Sequence, residues 1–182
     1  MTTLTQIALA AGFSELVLPC LEPANVYTDK AGAEILNQMY TFPDKAGREL
    51  CLRPEGTATC ELLADDRFKV TKDVRLWYET RCWRYEKPQA GRYREFTQFG
   101  VEVLNPRENP REELLALAEQ MVKQFTAMYE ISSRVQRGLA YYIEEGFEIS
   151  CPALGAQKQV CGGGSYKQGC GFAVGVDRLM LL

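Results

Sequence analysis

The chain has 182 residues, a formal charge of −3, 46% hydrophobic residues and no histidine. The missing imidazole excludes Ser/His/Asp and Cys/His nucleophilic sites, histidine-ligated zinc and any imidazole general base. The acidic balance argues against bulk electrostatic capture of nucleic acid, and length and composition fit one globular domain over residues 1–182.

Residues 5–11 read as a short helix ended by Gly12, which suits a C-cap, and residues 15–18 as a strand stopped by Pro19. Two strands at 39–42 and 50–52 are joined by a turn over 43–47, and residues 57–66 are helical. Long strands at 74–84 and 95–104 flank a turn over 87–91, which makes them an antiparallel hairpin. Residues 111–129 give the clearest helix, with Leu114, Leu117, Ala118, Met121 and Phe125 on one stripe. Shorter strand-like pieces follow at 139–142 and 147–151. Gly162, Gly163 and Gly164 read as a turn, and the apolar run 172–182, broken by Gly175, carries the start of a helix near Arg178. Many strands around one long helix predict an α+β domain, an antiparallel β-sheet flanked by helices.

Seven cysteines, with no pair closer than nine residues and no CxxC, exclude zinc-ribbon and thioredoxin motifs. Buried thiols in a reducing cytosol are the expected reading. The start lacks a basic n-region, and no stretch approaches the roughly 18 apolar residues of a membrane span. A cytoplasmic protein with no membrane partner is expected.

Parity along the hairpin separates two faces. Arg84, Glu86, Phe96, Gln98 and Glu102 are even; Phe99, Val101 and Val103 are odd. The polar face is either a solvated surface with cross-strand ion pairs or a ligand floor. Trp77, Tyr78, Trp83 and Tyr85 crowd the same hairpin and favour the floor. No GxxxxGK[ST] or GxGxxG is present, so a phosphate site of either kind is excluded.

Four blocks make the pattern specific: LRPEGTA (52–58), RYEKPQAGRYREFTQFGVEV (84–103), RGLAYY (137–142) and GFAVGVDRL (171–179). Their residues, order and internal spacing resemble histidyl-tRNA synthetases, a family of class II aminoacyl-tRNA synthetases. MYTFPD (39–44) and the proline of LVLPCLEP (16–23) fit as well. The resemblance implies a class II catalytic-domain fold. It makes Arg84 the arginine on the α-phosphate of ATP, places Glu86 on the adenine side, stacks Phe96 on the base, and puts Arg178 on the γ-phosphate. Arg137 matches an arginine beside the α-phosphate, so Arg84, Arg137 and Arg178 are the implied catalytic residues. Glu55, Thr57, Gln98, Glu102, Arg137, Tyr141 and Tyr142 match the histidine pocket. ATP and Mg²⁺ are the implied cofactors, and histidine, tRNA(His) or another acceptor, and a second copy of the chain the implied partners. No protein metal site is implied.

The implied chemistry suits the composition. An amino-acid carboxylate attacks the α-phosphorus of ATP and pyrophosphate leaves, so the nucleophile is already ionised and no general base is needed. Positioning and charge neutralisation dominate such a reaction, and arginine, permanently charged and bidentate, serves both. Mg²⁺ would bridge the β- and γ-oxygens.

The chain also departs from the family pattern. Ala140 stands where the family has Asp in RGLDYY, and Ser165, Tyr166, Lys167 and Gln168 replace an RYDG run. Lys167 is thereby brought into consideration as a partner that turns Glu102 away from a ligand. The predicted helix runs almost directly into RGLAYY with no insertion domain, and the chain stops at Leu182, so a catalytic core without an anticodon-binding domain is expected. Two other functions share these residues: transfer of the activated amino acid to a non-tRNA acceptor, and a histidine-binding regulatory subunit without catalysis.

Overall fold

The computed structural model describes residues 3–28, 33–136 and 142–182. In chain order the elements are α1 (Thr3–Ala10), β1 (Ser14–Glu15), β2 (Leu21–Pro23), α2 (Asn25–Thr28), α3 (Ala33–Leu36), β3 (Thr41–Pro43), β4 (Glu49–Leu52), α4 (Thr57–Asp65), β5 (Val74–Trp83) and β6 (Glu95–Leu104). They continue with α5 (Arg111–Val122), β7 (Glu130–Val135), β8 (Gly146–Ser150), a 3₁₀ segment (Pro152–Gln157), β9 (Gln159–Tyr166), β10 (Gly169–Gly175) and α6 (Val176–Leu179).

Seven strands form one sheet in the order β1-β5-β6-β10-β9-β8-β7. Among the described residues only the β1–β5 pairing of this sheet is parallel. A small sheet, β2-β4-β3, stands apart from it. This is the expected α+β fold with an antiparallel sheet and helices on its faces.

The parity reading of the hairpin holds. Odd residues Phe99, Val101 and Val103 join Trp77 in a core with Leu4 and Ala8 of α1 and with Leu114, Ala118 and Met121 of α5. Even residues face the other way, where Leu76, Tyr78 and Leu104 pack on Ala58, Cys60 and Ala64 of α4. Burying such apolar side chains supplies about 1.5–3 kcal/mol each, so both faces of the central strands contribute to stability. The floor of a ligand site is confined to the stretch of even face that α4 leaves uncovered.

Two expectations about elements are corrected. The long helix ends at Val122 rather than 129, because Gln124 and Phe125 donate to Met121 and Val122 in tightened turns and the chain enters β7 at Glu130. The glycines 162–164 are not a turn but the middle of β9, paired with Gly171, Phe172 and Ala173 of β10. A Cβ on Gly163 would stand 2.5 Å from the Gly171 carbonyl oxygen and 2.6 Å from Phe147 Cζ, so close strand and ring approach requires glycine there. The helix expected near Arg178 is present as α6, starting at Val176, and the residues before it form β10. The strand-like piece at 139–142 lies outside the described residues except Tyr142, which bridges Tyr166.

All seven cysteines are free, and all but Cys20 are buried. Burial raises the Cys51 and Cys82 thiols to about 12, so they behave as small hydrophobes and not as nucleophiles. No helix among the described residues is long and apolar enough to cross a membrane.

Candidate functional site

A cavity of about 520 Å³ opens on the uncovered even face, bounded by the hairpin, β9, β10, the 3₁₀ segment and the N-terminus of α6. Of the residues expected at a site, Glu55, Thr57, Arg84, Glu86, Phe96, Gln98, Tyr142 and Arg178 all line it. They come from segments up to 123 positions apart, and the strand pairing of β6 with β5 and β10 brings them together. Arg137 and Tyr141 lie outside the described residues.

Arg84 follows the end of β5. Its Nε donates to the Pro54 carbonyl at 2.8 Å, and its guanidinium carbon sits 5.2 Å from the centre of the Phe96 ring. That leaves its Nη groups without a protein acceptor among the described residues. Arg178, on α6, is fastened more fully: Nε to Gly91 O at 2.6 Å, Nη1 to Gln159 O at 2.6 Å and Nη2 to Gln157 Oε1 at 3.1 Å. None of these acceptors is a carboxylate. Burial, then the neighbouring Arg92 and Arg84 charges, hold the Arg178 guanidinium below its ordinary pKa. Guanidinium groups that lower one another's pKa in a half-buried wall are electrostatically complementary to an anion. Asp177 does not neutralise it, because its carboxylate accepts the backbone N–H of Thr97 and ties α6 to β6. Glu86 is paired with Arg92.

Another part of the wall is uncharged or committed. The Glu55 carboxylate accepts the N–H groups of Thr57 and Ala58 at 2.7 and 2.9 Å, capping α4 where Gly56 offers no side chain. Gln98 Oε1 accepts from the Cys82 thiol at 3.3 Å, which orients its amide.

Glu102 does not stand on the cavity wall. It is fully buried, accepting Thr57 Oγ1–H at 2.8 Å and Tyr166 O–H at 2.8 Å. The register pairs Glu102 with Gly171, and its carboxylate fills the space where a side chain on Gly171 would sit. Lys167 is exposed at the β9–β10 turn, so the expectation that it draws Glu102 aside is overturned: the two groups are separated by burial and both Glu102 oxygens are already bonded. The aromatic cluster is likewise redistributed. Trp77 stacks on Phe99 in the opposite core, and Tyr78 is buried beneath the floor where Gly56 and Gly100 leave room for its ring. Tyr85 is exposed, and the aromatic rings that line the cavity are Tyr93, Phe96 and Tyr142.

Burial raises the Glu102 carboxyl from 4.5 to about 8, against the Thr57 and Tyr166 hydrogen bonds that lower it. The folded state therefore binds a proton that the unfolded chain releases. This contribution is fully present below pH 4.5 and is lost as pH rises toward 8. We predict that stability falls with pH over this window and that Glu102→Gln flattens the fall. Urea unfolding at pH 5 and pH 8.5 checks it; an equal slope in both proteins would contradict the assignment.

Sequence reasoning did not pick out Arg92, Tyr93, Gln157, Lys158, Gln159 or Asp177, which also line the cavity. Arg92 and Tyr93 sit in the hairpin turn beside residues that were picked, and Asp177 precedes Arg178. The 3₁₀ segment carries no such signal. Among the described residues no group of three His, Cys, Asp or Glu side chains is placed to hold a metal ion. The arginine wall fits a divalent cation only as one carried by the phosphates of a bound nucleotide.

Comparison with known proteins agrees with this geometry. A family profile described as histidyl-tRNA synthetase matches residues 1–132. The histidine--tRNA ligase of Methanosarcina acetivorans is 26% identical over 277 residues, covering 93% of this chain and 67% of the relative. That span exceeds the length of this chain, so the relative carries internal residues that are absent here. The apo histidyl-tRNA synthetase of S. aureus superposes with a TM-score of 0.78 at 25% identity, covering 98% of this chain and 62% of that one. A structure titled as an ATP phosphoribosyltransferase regulatory subunit/histidyl-tRNA synthetase from Bacillus halodurans C shares the fold at a TM-score of 0.80 and 18% identity, covering 98% and 76%. The profile match over most of the chain, on a fold that gathers the matching blocks around one cavity, shows that the chain belongs to the histidyl-tRNA synthetase family.

Proposed function

We propose that this chain activates histidine with ATP, forming histidyl-adenylate and pyrophosphate, and passes the histidyl group to tRNA(His). The observation that carries the proposal is the convergence of Arg84, Arg178 and Phe96 with Thr57, Gln98 and Tyr142 on one cavity. Arg84 and Arg178 meet the α- and γ-phosphates, Phe96 stacks on adenine and Glu86 lies on the adenine side. Glu55, Thr57, Gln98 and Tyr142, with Arg137 and Tyr141, surround the amino acid, and Glu102 supports that pocket from beneath. A carboxylate oxygen of histidine forms a bond to the α-phosphorus while the bond to the β-bridging oxygen breaks, and pyrophosphate carries away the electron pair. The negative charge on the phosphoryl oxygens is met by preorganised guanidinium groups, with Arg137 as a further one beside the α-phosphate. A Mg²⁺ ion held by the phosphates of ATP, and by no protein carboxylate among the described residues, would add charge neutralisation there.

The reading includes a single catalytic domain, a cytoplasmic setting, which the free thiols support, and a homodimer. Val17 is 83% exposed and Leu21 51% exposed on either side of Pro19 beside the short edge strand β1, a surface suited to a self-complementary interface. Sedimentation at micromolar concentration is expected to give twice 20.5 kDa; a sharp monomer would remove the dimer from the account.

Amino-acid-dependent ATP–pyrophosphate exchange across all twenty amino acids tests the activation step, followed by charging of total tRNA. Histidine alone is expected to stimulate exchange. A protein that binds histidine yet exchanges with no amino acid would be a regulator, and one that exchanges but charges no tRNA would serve another acceptor.

A further inference from the structure

Three segments meet at Arg178. A Cβ added to Gly91 in the hairpin turn would lie 3.5 Å from both Arg178 Cγ and Gln157 Cβ, so the turn, the 3₁₀ segment and α6 converge on one point of the cavity wall. There the Arg178 guanidinium donates to Gly91 O, Gln159 O and Gln157 Oε1. A guanidinium carries five N–H donors in a rigid plane. Three bonds fix the plane and leave two donors for a ligand. Two of the acceptors are main-chain carbonyls, which any residue supplies. The third, Gln157 Oε1 at 3.1 Å, depends on the side chain.

Local structure holds that side chain in place. The 3₁₀ segment is closed at its base by the Cys151 N–H on the Lys158 carbonyl at 2.7 Å, and Leu154 packs on the main core. Gly155, at φ 60° and ψ −125°, a region open to glycine, turns the chain between Leu154 and Gln157. Half-buried Gln157 therefore reaches Arg178 from a segment whose ends are fixed. An amide suits this position. Its oxygen orients the fork as a carboxylate would, but it carries no charge and does not neutralise the cation. The lowered Arg178 pKa, caused by burial and then by Arg92 and Arg84, agrees with a guanidinium that has no carboxylate partner among the described residues.

We infer that Gln157 is a positioning residue that orients the Arg178 guanidinium and leaves its charge for the polyphosphate end of a nucleoside triphosphate. This role rests on the proposed ATP site.

The preference for ATP over AMP, as the ratio of their dissociation constants measured by calorimetry with Mg²⁺ present, reads it directly. Gln157→Glu pairs the Arg178 charge, and the preference is expected to fall about tenfold or more. Gln157→Met keeps the size and the cation but loses the acceptor, so a smaller fall is expected. AMP affinity is expected to stay within about twofold of wild type in both variants, because AMP lacks the phosphates in question. A preference unmoved by Gln157→Glu, or lowered as far by Gln157→Met, overturns the inference. Loss of AMP affinity in both variants overturns it as well, by making Gln157 a structural residue. Arg178→Ala separates the inference from the proposed function. If that substitution abolishes the preference and Gln157→Glu does not, the ATP site stands and Gln157 has no part in it. A wild type that binds ATP no better than AMP overturns both. A preference that Gln157→Glu lowers in a protein that exchanges with no amino acid supports the role of Gln157 and refutes activation instead.

Discussion

Arg84→Ala is expected to lower histidine-dependent pyrophosphate exchange by about 10²–10³-fold while leaving the fold intact. Arg84 reaches the cavity from the end of β5 with one N–H committed to the Pro54 carbonyl and its plane near Phe96, so the direction of its remaining donors is fixed before any ligand arrives. A preorganised charge of that kind acts on the transition state without reorganisation cost, which is why its removal weighs on rate. The backbone bond from Arg84 N–H to Arg94 O survives the substitution, so the hairpin keeps its register. Arg84→Lys separates charge from geometry: it retains the cation but loses the fork and the Pro54 anchor, and is expected to recover only part of the rate. Exchange by Arg84→Ala at the wild-type rate would place the α-phosphate elsewhere.

Gly171→Ala carries the largest expected loss of stability. Its Cβ would lie 1.7 Å from Glu102 Oε2 and 2.8 Å from the Val101 carbonyl oxygen, so the carboxylate must leave Thr57 and Tyr166 or the strands must part. Overpacking costs about 1–3 kcal/mol, and each hydrogen bond lost by the buried carboxyl adds to it. Gly175→Ala is the control: its φ of −79° suits any residue and the nearest atom to its added Cβ is 3.8 Å away. Denaturant unfolding is expected to show the first variant strongly destabilised and the second close to wild type. Equal midpoints would mean that Glu102 is not packed as described.

The long, strongly patterned elements were legible in the chain, and the short or locally ambiguous ones were not. The hairpin 74–104 alternates over two strands of ten residues each, enough for the period of two to declare both faces. β9 is invisible to that logic, since QVCGGGSY puts three glycines where alternation should show, and glycine normally signals a turn. The tertiary setting explains two of them: Phe147 and the β10 backbone occupy the space a side chain on Gly163 would need, and Tyr142 and Gly146 crowd the space beside Gly164. The helix 111–129 was overextended because Phe125 continues the apolar stripe past the point where the backbone stops being helical; it packs on the same core from the turn that follows. At the site, parity assigned Arg84, Glu86, Phe96, Gln98 and Glu102 to one face, but parity carries no depth. Glu102 shares the face with Gln98 and yet lies under α4, which covers that end of the strand. Lys158 and Gln159, supplied by the segment after the 3₁₀ turn, have no periodic signature at all.

The most direct test of the account is a crystal structure with a non-hydrolysable histidyl-adenylate analogue. The account predicts the phosphate mimic within hydrogen-bond distance of the Arg84 Nη groups, adenine against Phe96, and the histidyl moiety among Glu55, Thr57, Gln98 and Tyr142, with Glu102 still bonded to Thr57 and Tyr166. An analogue bound outside this cavity, or bound in it with its phosphate mimic away from both Arg84 and Arg178, would contradict it.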